Sequence, residues 1–161
     1  MQAVTGLRSV RLWLASLIAW VMVGCASVEP PGIRHLPERV ELNGVPFYRG
    51  NAHQSGPHVL ASMLGEQRIS VTPGLLVKPL KLPDAEASLQ GNMEQLATGY
   101  GLVVYPLDTS LEALLTQVAA GHPVMLRFSD GTVWSEPRYA MLVGYNRAKQ
   151  TVLLRAGMDR R

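Results

Sequence analysis

The sequence predicts an α+β domain whose helices gather on one side of a mostly antiparallel sheet. Three segments of helical periodicity occupy the middle of the chain, and three segments rich in strand-forming residues follow one another near its end. Consecutive strands joined by short turns pair antiparallel, whereas the helices before them cover a sheet face. About 120 residues follow Glu41, which is enough for one modest hydrophobic core.

Three helices are predicted from capping residues and apolar stripes. The first, Ser55–Glu66, begins at Ser55 as N-cap and tolerates Pro57 in its first turn. The second spans Ser88–Tyr100 and the third Ser110–Ala120, and between the first two lies a predicted loop of short turns, Thr72–Leu82. The residues expected to be buried are Val59, Leu60, Met63 and Leu64, then Leu89, Met93, Leu96 and Ala97, then Leu111, Leu114, Leu115 and Val118.

Four segments are predicted to be strands. Leu102–Pro106 follows the second helix, and Val124–Phe128 follows the third. Arg138–Tyr145 and Thr151–Arg155 are expected to form a hairpin around a turn over residues 146–150. The order of helices and strands therefore favours a sheet built mainly from the second half of the chain.

The first 24 residues have the features of a signal peptide. Arg8 and Arg11 supply a positive start, and Leu12–Val23 is a largely apolar run. This run is shorter than the roughly 20 residues that a membrane-spanning helix needs. We therefore expect residues 1–24 to be removed, residues 25–41 to form a tether, and residues 42–161 to form the folded domain.

The segment that ends at Cys25 resembles the lipobox of bacterial lipoproteins, in which a small residue precedes an invariant cysteine. Met22-Val23-Gly24-Cys25 matches it apart from Met22, where leucine is usual. The resemblance implies a diacylglycerol on the Cys25 thiol and a membrane anchor of more than one acyl chain, which is stable. Ala26 and Ser27 lack the aspartate that retains enteric lipoproteins in the inner membrane, so an outer-membrane location facing the periplasm is expected. An unmodified cysteine in a cleaved leader or ordinary anchor is the alternative.

Composition narrows the classes of ligand. Without Arg8 and Arg11 the 15 Lys and Arg residues fall to 13, against 12 Asp and Glu. Nucleic-acid binders cluster their basic residues, so no nucleic-acid partner is predicted. Cys25 is the only cysteine, which leaves the domain without a disulfide or a thiolate ligand. A metal site would need three of the scattered histidines to converge by coincidence, so neither a metal nor another cofactor is predicted.

Three stretches together resemble the papain-like cysteine peptidases that trim double-glycine leader peptides from bacteriocin precursors. They are VPFYRGNAHQSGPHVLASML from Val45, GHPVMLRF from Gly121 and RYAMLVGYN from Arg138. The likeness covers roughly Val45 to Gly157 and is closest to the stand-alone lipoprotein members of that family. It implies a papain-like fold, with helices packed on a mostly antiparallel sheet.

The residues that catalyse peptide cleavage in that family are replaced here. Ser55 stands where the nucleophilic cysteine opens the first helix, and Gly50, or Asn51, stands where a glutamine binds the oxyanion. Arg138 stands where the histidine begins a strand, and Leu153–Gly157 holds no carboxylate to orient it. Arginine cannot act as a base because its pKa exceeds about 12. The resemblance therefore implies a catalytically degenerate member that binds a peptide segment or an envelope partner.

The candidate peptide-binding residues are Gln54, Ser55, Arg138 and Tyr139. Simpler roles exist for them: Ser55 as a helix cap, and Arg138 as a surface charge paired with Glu136. An active peptidase that uses Ser55 with His53 or His58 is the alternative function, and a structural lipoprotein without a ligand is the second alternative. The related lipoproteins continue into a further strand, so the domain either closes without that strand, receives it from a partner, or belongs to a decayed gene.

Overall fold

The computed structural model describes residues 30–50, 54–84, 86–128, 138–157 and 159–160, and nearly all of them belong to one compact unit, Gly32–Arg161. The predicted signal peptide, the predicted lipidation site Cys25, and the site candidates Asn51, His53 and Glu136 lie outside the described residues. No helix in the described ranges is long and apolar enough to cross a bilayer.

The described residues contain four helices: α1 (Ser55–Glu66), α2 (Pro73–Val77), α3 (Leu89–Gly99) and α4 (Leu111–Ala119). Short 3-10 turns cover Pro31–Ile33 and Glu86–Ser88. The strands are β1 (Arg39–Glu41), β2 (Val124–Phe128), β3 (Arg138–Asn146), β4 (Thr151–Ala156) and β5 (Asp159–Arg160). The α+β class predicted from the sequence is confirmed.

β3 is the central strand of the sheet, and the four pairings between the described strands are antiparallel. Along one side, the first half of β3 pairs with β2 and its second half pairs with β1. Along the other side, β3 pairs with β4, and β5 pairs with the far side of β4. The β3–β4 hairpin and the bounds of β2 agree with the sequence prediction. β1 was not predicted, because three residues are too few to show a period.

The two faces of β3 are each covered by a separate hydrophobic cluster. Tyr139, Met141 and Val143 pack into the first cluster with α1, α2 and α3. Leu142 and Tyr145 pack into the second cluster with α4. A register shift between Leu142 and Gly144 breaks the alternation, which is why two odd-numbered residues, 143 and 145, serve opposite clusters. The expectation that all helices gather on one side is therefore wrong for α4.

The predicted loop Thr72–Leu82 contains α2. Pro73 occupies the first turn of this helix, where its fixed φ favours a helical start, and Thr72 before it is extended. Leu76 and Leu80 are fully buried and attach the segment to α1 and α3. The helix was missed because five residues are too few to display a helical stripe.

The predicted strand Leu102–Pro106 is not a strand in the structure. Leu102 packs against the first cluster, but Val103, Val104 and Tyr105 are exposed and pair with no described strand. The predicted bounds of α4 agree with the structure to within one residue at each end. The prediction that Leu111 is buried is wrong, because this residue is 45% exposed. Both errors arose because apolar residues were assumed to be buried.

The predicted tether, residues 25–41, extends too far toward the C-terminus. Ile33 and Leu36 are buried in the second cluster beside Leu115 of α4, and β1 pairs with the end of β3. Arg147 also holds this segment, since its backbone N–H donates to the Glu38 carbonyl at 2.8 Å. Residues from Gly32 onward therefore belong to the folded unit. The sequence prediction placed the boundary too late because the prolines in this segment are typical of a tether.

Candidate functional site

The N-terminus of α1 meets the first residues of β3 through Ser55. The Ser55 Oγ accepts the backbone N–H of Tyr139 at 2.9 Å, and the serine is only 4% exposed. The prediction that Ser55 caps its own helix is wrong: Gln54 holds the N-cap position and makes no side-chain capping bond. The hydroxyl instead accepts a buried strand N–H and so joins the start of α1 to the start of β3.

Arg155 is a buried cation close to this junction, and the sequence reasoning missed it. It lies on β4 opposite Met141 and is 4% exposed. Its Nη1 donates to the Val45 carbonyl, and its Nη2 donates to the Leu42 carbonyl at 3.2 Å. An arginine within an otherwise apolar strand is the sequence feature that could have indicated this residue, because a charged side chain is buried only when it has hydrogen-bonding or ionic partners.

Ser55 and Arg155 line the same small cavity. A cavity of about 10 Å³ lies between them and is also lined by His58 and Ser62. That volume corresponds to about one water molecule. The Ser62 hydroxyl is also hydrogen-bonded within the protein, since it donates to the His58 carbonyl at 2.9 Å. This inner side of the α1 N-terminus therefore has no room for a peptide.

His58 fills the space beside Gly50. The imidazole Nδ1 donates to the Gln54 carbonyl at 2.6 Å, which turns Nε2 toward Gly50. A Cβ atom placed on Gly50 would overlap the ring, so a glutamine cannot occupy this position unless the histidine moves. The Gly50 N–H is also used, because it donates to the Gly157 carbonyl at 3.3 Å. No oxyanion donor projects from this residue.

The remaining candidates divide between surface and core. Gln54 and Arg138 are exposed, whereas Tyr139 is buried. Burial raises the pKa of the Tyr139 phenol, while the nearby Arg127 guanidinium opposes that shift. The structure therefore brings Ser55 and the Tyr139 backbone together but leaves only Gln54 and Arg138 accessible to a ligand.

A larger groove runs along the outer side of the α1 N-terminus, between this helix and α2. Its volume is about 450 Å³, within the range of small-ligand sites. Gln54 and His58 provide its polar groups. Its other lining residues are Pro57, Pro73, Gly74, Val77, Leu82 and Pro83. Sequence reasoning missed the groove because its second wall is the unpredicted helix α2.

The described part of the chain holds no cluster of potential metal ligands. No group of three or more potential ligands among His, Cys, Asp and Glu converges there. His122 lies exposed in the turn after α4, away from the lining of either cavity. Comparisons with protein-family models, with curated proteins and with solved structures found no match to this chain.

Proposed function

We propose that this chain is a catalytically degenerate, papain-like lipoprotein that is anchored through Cys25 in the outer membrane and binds an extended peptide segment without cleaving it. The observation that carries the proposal is that the Ser55 hydroxyl accepts a hydrogen bond from the backbone N–H of Tyr139. A hydroxyl that accepts a buried N–H and is 4% exposed supports the core and is not presented to a substrate. The contact also joins α1 to the start of β3, the two segments that hold nucleophile and base in the peptidases that the sequence resembles.

The groove between α1 and α2 supports binding as the retained activity. Five of its lining residues are proline, valine or leucine, and an apolar wall of this kind favours apolar side chains. The exposed Gln54 amide at the helix end offers a donor and an acceptor to a peptide backbone. A volume of about 450 Å³ accommodates a few residues of an extended chain, so we expect a short segment of an envelope or secreted partner.

Blocking the groove with a side chain tests this proposal. Gly74 lines the groove, and a Cβ on it meets no atom within 4 Å, so Gly74→Trp adds a large side chain at the groove wall without a clash at its Cβ. Gly91 on α3 is equally open and lies outside the groove, which makes Gly91→Trp a matched control. The measurement is fluorescence anisotropy of a labelled peptide ending in Gly-Gly, titrated with the full chain in detergent.

We expect saturable binding that Gly74→Trp weakens by about tenfold or more, a loss of about 1.4 kcal/mol, and that Gly91→Trp leaves unchanged. Absence of saturable binding, or equal loss in both variants, would contradict the proposal. The enzymatic alternative is tested with a fluorophosphonate probe. Labelling that disappears in Ser55→Ala would favour a serine peptidase, whereas we expect no labelling of Ser55.

A further inference from the structure

Asn43 and Gly44 form an exposed turn between the two residues whose carbonyls hold the buried guanidinium of Arg155. Leu42 precedes the turn, and its carbonyl accepts from the Arg155 Nη2 at 3.2 Å. Val45 follows the turn, is 4% exposed, and its carbonyl accepts from the Arg155 Nη1. Both ends of the turn are therefore attached to one buried cation, while its tip faces solvent.

The tip has the residue types that favour attack of the backbone on a side chain. Asn43-Gly44 is the only asparagine–glycine pair in the sequence. The nitrogen that follows an asparagine lies close to the side-chain carbonyl carbon, and glycine has no Cβ to obstruct their approach. Around Gly44 the space is open, since a Cβ there would meet no atom within 4 Å. Asparagine next to glycine is for this reason chemically labile.

The hydrogen bonds of the other asparagines set Asn43 apart. The Asn146 Oδ1 accepts the backbone N–H of Lys149 at 2.9 Å, and the Asn92 side chain donates to the Leu80 carbonyl at 3.2 Å. Within the described chain, neither the Asn43 side chain nor the N–H of the glycine after it takes part in a hydrogen bond. The amide of Asn43 is thus the one among these three whose rotation breaks no bond.

We propose that Asn43-Gly44 is a site of spontaneous self-modification, at which the asparagine becomes aspartate or isoaspartate and the hold on Arg155 is loosened. The Gly44 nitrogen forms a bond to the side-chain carbonyl carbon of Asn43. The side-chain amide group leaves with the proton of the Gly44 nitrogen as ammonia, and a succinimide ring remains. Water is the only co-reactant that the next step needs.

Hydrolysis of the ring gives two products. Water adds to one of the two ring carbonyls, and the bond from that carbon to the Gly44 nitrogen breaks. Breakage at the side-chain carbonyl leaves aspartate in an ordinary backbone. Breakage at the main-chain carbonyl leaves isoaspartate, in which the backbone runs through the former side chain of residue 43 and is longer by one atom.

The longer backbone acts on Arg155 because the inserted atom lies between its two acceptors. The carbonyls of Leu42 and Val45 can meet one rigid guanidinium only at a fixed separation. A change in that separation removes at least one bond from a cation that is 4% exposed, and a buried charge that loses a partner destabilises the fold. Isoaspartate at position 43 therefore weakens the folded state.

Incubation of the full chain in detergent at mildly alkaline pH tests the chemistry. Trypsin cleaves after Arg39 and Arg49, so the peptide 40–49 isolates the site for mass spectrometry and for separation of its isoaspartyl form. We expect modification of Asn43 to be at least about tenfold faster than that of Asn92 and Asn146, and Gly44→Ala to slow it by about tenfold or more. Equal rates at the three asparagines, or an unchanged rate in Gly44→Ala, would overturn the proposal.

Urea unfolding of the incubated chain tests the consequence for Arg155. We expect the isoaspartyl fraction to unfold with an equilibrium constant at least about fivefold larger than that of Gly44→Ala incubated in the same way. Asn43→Asp carries the new charge on an ordinary backbone and should unfold like the parent chain. An isoaspartyl fraction as stable as the parent would overturn the proposed link to Arg155. Equal destabilisation by Asn43→Asp would do the same, because the charge alone would then account for the loss.

Discussion

The two sides of the α1 N-terminus differ in how their space and their polar groups are used. On the side facing β3, the Ser55 hydroxyl and the Arg155 guanidinium are hydrogen-bonded to backbone, and only about 10 Å³ remains open. On the side facing α2, a groove of about 450 Å³ is lined mainly by apolar residues. One side of the same helix end stabilises the fold, and the other is available to a ligand.

Under the proposed function, this difference accounts for a helix terminus that binds a peptide without cleaving it. A polar group that satisfies a buried backbone partner cannot turn to a ligand without leaving that partner unsatisfied, at about 1–3 kcal/mol. Substitutions on the β3 side are therefore expected to act on stability. Substitutions such as Gly74→Trp on the α2 side are expected to act on binding alone.

The largest effect is expected for Arg155→Ala. The substitution removes the donors to the Val45 and Leu42 carbonyls and leaves a cavity, so the free energy of unfolding should fall by about 3 kcal/mol or more. Urea unfolding of the full chain, followed by far-ultraviolet circular dichroism, measures the change. The control is Arg39→Ala, whose exposed ion pair with Glu41 at 2.9 Å should contribute less than about 1 kcal/mol. Similar losses in the two variants would contradict a structural role for Arg155.

A smaller loss is expected for Ser55→Ala. The buried N–H of Tyr139 would lose its acceptor, which should lower the free energy of unfolding by about 1–3 kcal/mol. Ser62→Ala is the matched control: Ser62 is equally buried, but its hydroxyl bonds a carbonyl of its own helix that also accepts a helical N–H. The expected loss there is below about 1 kcal/mol. An unchanged free energy of unfolding in Ser55→Ala would contradict the view that this serine stabilises the contact between α1 and β3.

Sequence patterns predicted those elements whose length shows a full period. The helix Ser55–Glu66 and the strand Val124–Phe128 agree with the structure residue for residue, and the hairpin strands differ by one residue at an end. β1, a strand of three residues, and α2, a helix of five, are each too short to show the period of their own structure type and were missed. The strand expected at Leu102–Pro106 failed because strand propensity does not provide a pairing partner.

The site was less predictable than the fold because its residues interact across distant parts of the chain. Ser55 meets Tyr139 across 84 positions, and Arg155 meets Val45 across 110. The residue type of Ser55 suggested a local cap, yet tertiary packing gave its hydroxyl a different partner. The groove depends on α2, so no pattern around Gln54 or His58 alone could have indicated it.

The smallest effect concerns Gly50 and His58, and it tests whether the imidazole ring closes the space beside Gly50. Gly50→Ala places a Cβ against the imidazole ring and should cost about 1 kcal/mol, because the ring must shift. In a His58→Ala background the same substitution should cost close to nothing, giving a coupling of about 1 kcal/mol in a double-mutant cycle. Gly44→Ala, where a Cβ meets no atom within 4 Å, controls for the general effect of replacing glycine. Additive losses would mean that the histidine does not occupy the space in solution, and the β3 side would then be more open than the structure indicates.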